Sequence, residues 1–378
     1  MSFRTDTYVR RERLKTRNQR RQKCRNFAVP RIGPTGLGNP IVVGLFGHCH
    51  GSTLVVLPDG GLLAAFFAGQ REGAGDTAIW LSRRTASGWQ RPNRVFARDG
   101  VAHWNPVLHA EGSRVWLFYK TGPSAHDWIQ QWAVSEDAGH HWTEPRPLAA
   151  GDPTLRGPVR NKLLVLSDGD WLAPGSVETD RYWDAFTDRS TDKGRTWHKA
   201  TVPLDHHTTV GPDQTGIWQG LGENALWETR LDVVFRWDGV IQPSLWESTP
   251  GQVHMLLRST RGQVYRSDSR DGGRHWAPAY ATPLPNNNSA LDLVRLTDGT
   301  LVLACNPVPG NWGRRYPLTL LVSPDNGATW HPERDLETAA GEFSYPAVVA
   351  AGDTLQVTYT WNRKRIRHIV LGIDALDS

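Results

Sequence analysis

Arginines, amides and acids recur in short polar clusters beside apolar runs. Arg160-Asn161-Lys162 precedes one such run, and Asn286-Asn287-Asn288 with Asp292 precedes another. Such clusters suit a wet channel holding a polar ligand, with Arg160, Asn161, Asn288 and Asp292 along its wall. Asparagine runs also make ordinary loops. Trp80, Trp104, Trp128 and Trp361 offer flat faces for a sugar ring, or fill a core. Cys49 lies between His48 and His50. That setting suits a thiolate nucleophile, although a buried structural cysteine is the commoner outcome. Histidine and aspartate are not spaced as metal ligands, so neither a metal nor a cofactor is expected. Arg363, Lys364, Arg365 and Arg367 read as a solvated strand edge, where charge deters pairing.

The elements that must position these residues are legible as a repeat. Residues 135–142, 190–197, 269–276 and 323–330 each fit S-x-D-x-G-x-[TH]-W. A degenerate copy runs from Ser82 to Trp89 and keeps only the serine and the tryptophan. The starts are separated by 53, 55, 79 and 54 residues. The long step carries an insertion, placed at His206 to Asp238. A fixed period of this size marks a propeller or another array. Within each copy aspartate can accept backbone N–H groups across a turn, and glycine supplies positive φ. Further Asp-Gly turns, as at Asp59-Gly60, Asp168-Gly169 and Asp298-Gly299, complete four-stranded units. Six such blades fit the stretch from Ile41 onward, and the ring should close by pairing residues near Ile41–Phe46 with the last blade. The box aspartates are expected to be structural.

Composition agrees with a turn-rich all-β chain. The 378 residues include 37 Gly, 25 Pro and 18 Trp. Mean hydropathy is −0.48, and there is no apolar run long enough to span a membrane. The net charge of +5 belongs to the N-terminus: residues 1–31 hold eleven Lys or Arg, and the remainder carries 32 basic and 36 acidic residues. Residues 1–40 read as a basic, disordered arm, and 41–378 as the propeller. Nothing in the body points to nucleic acid. Three scattered cysteines fit reduced thiols. With no classical secretory leader, a cytoplasmic location is expected, with export left open.

With four boxes at this period, residues 41–372 resemble the sialidase superfamily, and in particular bacterial sialidase-like BNR-repeat proteins. Asn105-Pro106-Val107-Leu108, Gly157 to Lys162, Pro285 to Ser289 and Glu342 to Pro346 look typical of that group. The resemblance implies an all-β, six-bladed β-propeller. It also implies three arginines on the substrate carboxylate, an aspartate as acid/base, and a tyrosine nucleophile activated by a glutamate. Arg258, in Met255-Leu256-Leu257-Arg258-Ser259, and Arg315, in Arg315-Tyr316-Pro317-Leu318-Thr319, match two of those arginines. Guanidinium forks grip a carboxylate bidentately and stay charged. Arg71 matches the arginine about six positions before the acid/base, which places Asp76 in that role. There are departures. The family's first arginine aligns near Cys49-His50, leaving His50 to assist an anion or line the channel. Its activating glutamate falls near Gln242. Its nucleophile falls on Phe343, while Tyr345 lies one pleat on, with Glu342 nearby.

The resemblance implies an exo-glycosidase that hydrolyses a terminal carboxylated sugar, such as sialic acid or a related ulosonic or uronic acid. Asp76 would protonate the leaving oxygen, and Tyr345 would attack or stabilise the anomeric centre with Glu342 activating it. Two other readings stay open. One is a polysaccharide lyase, in which arginines neutralise a uronate and Tyr345 or His50 takes the proton. The other is a carbohydrate-binding propeller without chemistry.

Overall fold

The box turns are built from a repeated set of hydrogen bonds. In each, the serine hydroxyl accepts the glycine amide: Gly139, Gly194, Gly273 and Gly327 donate to Ser135, Ser190, Ser269 and Ser323 over 2.7–2.9 Å. One oxygen of the box aspartate accepts the amide of the Thr or His, as from Thr196 to Asp192 at 2.8 Å. Its other oxygen meets the side chain of that residue, at 2.6 Å for His141, His275 and Thr329. Threonine and histidine alternate at this position because each can present a donor to that oxygen. The box glycines hold φ of 78–86°, and a Cβ at Gly139 or Gly273 would lie 2.7 Å from Leu63 or Leu172 of the preceding blade. Backbone and packing both therefore require glycine there. Replacing Ser190 by alanine strands the buried Gly194 amide. It is expected to lower unfolding free energy by about 1–3 kcal/mol, read by urea denaturation, and an unchanged midpoint would refute the turn's structural role.

The computed structural model describes residues 39–41, 45–149, 151–152, 154–206 and 216–376. Most of the basic arm, residues 1–38, lies outside them. Six antiparallel units follow one another. Blade 1 has β2 (His48–Val56), β3 (Leu62–Gly69) and β4 (Ala78–Thr85), with β5 (Gly88–Trp89) and β6 (Asn93–Phe96) both on β4. Blade 2 is β7 (His103–Glu111), β8 (Arg114–Thr121), β9 (Ile129–Ser135) and β10 (Arg146–Pro147). Blade 3 is β11 (Leu164–Val165), β12 (Trp171–Glu178), β13 (Tyr182–Ser190) and β14 (His198–Thr201). Blade 4 is β15 (Asp238–Thr249), β16 (Gln252–Ser259), β17 (Gln263–Ser269) and β18 (Tyr280–Pro285). Blade 5 is β19 (Asp292–Arg295), β20 (Leu301–Cys305), β21 (Leu318–Ser323) and β22 (His331–Glu337). Blade 6 is β23 (Phe343–Ala351), β24 (Thr354–Trp361) and β25 (Arg365–Gly372), edged by β1 (Asn39–Pro40).

The ring closes as expected, slightly earlier in the chain. Asn39 and Pro40 pair with His368 and Arg367, and the Ile41 amide donates to the Ile366 carbonyl at 2.8 Å. Blades bury apolar faces against each other. Leu63, Phe67 and Ile79 of blade 1, for example, share a core with Leu108, Leu117 and Tyr119 of blade 2. Blades 3 and 4 are additionally joined by a short parallel pairing of Tyr182–Trp183 with Asp238–Gly239. The described part of the insertion, residues 216–238, folds over one end of the axis. Its Trp218, Leu221, Leu226, Val234 and Trp237 pack on Trp183, Ile241 and Trp312. It includes a four-residue helix, Leu231–Val234. No helix among the described residues is long and apolar enough to cross a membrane.

The innermost strands carry the device that builds the channel. β2, β7, β15 and β23 each lose register next to a residue with positive φ: Gly51, Asn105, Gln242 and Tyr345, at 62°, 32°, 55° and 55°. Asn288, before β19, has φ 58°. A bulge of this kind re-aims a side chain out of the alternation of the strand.

Candidate functional site

Tyr345 sits on the β23 bulge, ringed by residues from the other blades. The guanidinium carbons of Arg160, Arg258 and Arg315 lie 5.3, 5.9 and 5.7 Å from its ring centre. The His50 ring lies 4.0 Å away, centre to centre. Its hydroxyl accepts from Arg258 Nη1 at 2.8 Å. Arg258 is fixed in turn: Nε donates to Asn288 Oδ1 at 2.7 Å, Nη1 reaches Gln242 Oε1 at 3.3 Å, and Trp183 and Trp312 flank it, both at 5.4 Å. Arg258, Gln242 and Tyr345 line a chamber of about 30 Å³, with Glu72 and Glu178. That is room for about one water.

Beside the chamber opens a cleft of about 620 Å³, lined by His48, Trp218, Arg315, Glu342 and Arg363 among others. Arg315 Nη1 donates to Glu342 Oε1 at 2.6 Å. Arg363 Nε reaches both Glu342 oxygens at 3.1 Å, and its Nη1 binds Glu72. The two arginines hold the Glu342 carboxyl below its ordinary value although burial pushes the other way. Trp218 covers Arg315, with the guanidinium carbon 3.6 Å from its ring centre. Arg160 Nε, Arg315 Nη2 and Arg363 Nη2 are buried nitrogens without a protein partner. Cationic donors left unmatched in a buried site call for an anion.

Several residues stand elsewhere than their sequence suggested. Arg363 was expected on a solvated edge but is 2% exposed. Consecutive positive φ at Asn362 and Arg363 (48° and 51°) turn this hairpin tip inward onto two acids. Glu342, expected beside the tyrosine, is bonded to Arg315 and Arg363 instead. Asp76 is exposed, and its carboxylate accepts the Gln70 amide at 3.0 Å. Arg71 is exposed as well. From that hairpin it is Glu72 that reaches the chamber. His50 is buried with both ring nitrogens unpartnered, and burial beside Arg363, Arg315 and Arg160 lowers its pKa well below the ordinary value, which keeps it neutral. Burial pushes the Cys49 thiol up to about 12, so it is no nucleophile.

Asn161 and Asp292 staple blades together. The Asn161 amide donates to the carbonyls of Gln242, Pro243 and Leu291, each at 3.0 Å. Asp292 accepts from Lys162, Ser244 and the Val348 amide at 2.7–2.9 Å. Asn288 holds Arg258. Trp104 and Trp128 are buried, and Trp80 and Trp361 half-buried. Sequence reasoning missed Glu72, Glu178, Trp218, Trp312 and the inward position of Arg363. Only the insertion's length and tryptophans hinted at the roof.

A family model for the BNR repeat-like domain matches residues 60–357. The chain belongs to the BNR repeat-like family. Its fold is that of the sialidase superfamily, seen in solved structures of low identity. The NanB sialidase of Streptococcus pneumoniae is 12% identical, with 89% of this chain and 71% of that one covered at a TM-score of 0.66. The intramolecular trans-sialidase of Ruminococcus gnavus, solved with oseltamivir carboxylate, is 12% identical, with 90% and 98% covered at 0.66. A protein of unknown function from Dyadobacter fermentans is 16% identical, with 86% and 94% covered at 0.65. No curated protein matches the chain by sequence. This BNR repeat-like protein thus shares the sialidase propeller, with a tyrosine among arginines at its axis.

Proposed function

We propose that the protein is a sialidase-type glycosidase acting on a terminal carboxylated sugar. The observation that carries this reading is the set of unpartnered guanidinium nitrogens of Arg160 and Arg315, beside Tyr345, and of Arg363, beside Glu342. The sugar carboxylate enters the cleft and takes up the free donors of Arg315 and Arg363, displacing the Trp218 indole. Arg258, already bonded to the Tyr345 hydroxyl, stabilises the negative charge on that oxygen as its proton leaves and again when its bond to the anomeric carbon breaks. A tyrosine nucleophile is an accepted variant of retaining glycoside hydrolysis. Asp76, open to solvent on its hairpin, is the proposed donor to the leaving oxygen.

A screen of chromogenic sialosides, other ulosonides and uronides, with products read by mass, tests this. At least one acidic glycoside is expected to be hydrolysed, with Tyr345→Phe about 10²-fold or more slower in kcat. Binding without turnover across the panel would favour a carbohydrate-binding propeller.

A second reading rests on neutral, unpartnered His50 against Tyr345, with Glu342 occupied by arginines. Those groups suit β-elimination from a uronate, the proton leaving to Tyr345 or His50. Growth of unsaturated-uronate absorbance, retained in Asp76→Asn and lost in Tyr345→Phe, would establish it over hydrolysis.

A further inference from the structure

Glu178 ends β12 and is 8% exposed, yet its Oε1 has no partner. It differs from Glu342, which two arginines neutralise. Glu178 faces two spaces. On one side it lines the chamber with Tyr345, Arg258, Gln242 and Glu72. On the other it lines a cleft of about 590 Å³ at the seam of blades 2 and 3, whose walls include Phe186 and Lys199. Ala125, Trp128 and Glu178 border both. Trp128 Nε1 is buried and unpartnered too. The partition between chamber and cleft therefore holds one free acceptor and one free donor. Gln242, in the same chamber, has no acidic function to offer.

We propose that Glu178 is the proton-transfer residue for Tyr345, acting through a water in the chamber and exchanging with solvent through the cleft between blades 2 and 3. The assignment rests on the sialidase-type reading. As the Tyr345 oxygen bonds to the anomeric carbon and the glycosidic bond breaks, the phenol proton passes to the chamber water, and that water gives a proton to Glu178. The leaving oxygen takes its proton from Asp76. In the second half a water attacks the anomeric carbon and gives its proton to Asp76. The bond to Tyr345 breaks, and Glu178 returns its proton to the phenol oxygen through the chamber water.

The charge around Glu178 suits the task. Burial raises its carboxyl to about 7, Glu72 adds to that, and Arg258 and Lys120 oppose it. Lys120, on β8, donates to the carbonyls of Asn105 and Pro158. His126 Nδ1 lies 2.8 Å from the Glu178 carbonyl oxygen. Asp184 and Lys199 stand in the outer cleft, and Tyr345 faces it across the chamber. A base poised near the working pH is the most efficient kind.

The experiment compares wild type, Glu178→Gln and Glu178→Asp. Stability is read first, because it needs no substrate. A carboxyl raised in the folded state binds its proton more tightly there, so its contribution is present at low pH and lost as pH rises from about 4.5 towards 7. Glu178→Gln is therefore expected to gain stability relative to wild type across that window, measured by urea unfolding. A flat difference would overturn the proposal. With a hydrolysed glycoside from the screen, Glu178→Gln should lose about 10²–10⁴-fold in kcat and the limb of the pH profile near 7, and Glu178→Asp should restore part of both. Wild-type turnover with an unchanged limb in Glu178→Gln would overturn the Glu178 assignment alone. No turnover of any glycoside by wild type would overturn the glycosidase reading and this assignment with it.

Discussion

Glu342→Gln is expected to lower the unfolding free energy by about 3–5 kcal/mol, the usual cost of removing one partner from a buried ion pair. Glutamine keeps the shape and one acceptor oxygen. It leaves Arg315 without a carboxylate, and Arg363 with Glu72 as its remaining acid. The acid limb should change too. Glu342 has a folded pKa below its unfolded value, so its contribution is complete above about 4.5 and fades as pH falls further. Wild type should lose stability below pH 4.5 more steeply than the variant. Urea unfolding across pH 3.5–7 reads both effects, and a cost under about 1 kcal/mol would mean that the two arginines do not depend on this carboxylate.

Arg258→Lys is expected to weaken binding of an acidic sugar by roughly 10- to 150-fold, the equivalent of losing about 1.5–3 kcal/mol of charge-assisted bonding. Lysine keeps the charge but cannot hold Asn288 and Tyr345 together from one planar group. Tyr345 would then lose the donor at 2.8 Å that fixes its hydroxyl. Arg315→Lys should behave alike, because the same fork spans Glu342 and the free position at Nη2. Calorimetry with the sugar acid found in the screen is the measurement. Wild-type affinity in Arg315→Lys would remove the carboxylate clamp from the proposed function, and wild-type affinity in Arg258→Lys would mean that fixing the Tyr345 hydroxyl contributes nothing to binding.

The two arginines were legible in the sequence because each sits in a short stretch of recognisable residues. Tyr345 was legible as a residue but not as a geometry. Strand alternation placed it on the same side as Phe343, whereas the bulge at Ser344–Ala347 gives it a φ of 55° and carries it to the axis. Asn161 and Asp292 read as channel polars because sequence cannot tell a group that meets a ligand from one that meets another blade. Arg363 read as surface because a charged hairpin tip is normally solvated, and only the ring turns that tip toward Glu342 and Glu72.

The sequence by itself determined the box turns, the blade period, the insertion and the all-β architecture. Each of these is decided within a few residues: a serine and an aspartate bonding to nearby amides, a glycine at positive φ, a tryptophan packing on its own hairpin. The tertiary structure alone decided which charges share the axis. Glu72 and Arg363 are 291 residues apart in the chain, and no local pattern couples them. They meet because six blades converge, and excluding water there makes each unmatched charge costly enough to be paired, neutralised or left ready for a ligand.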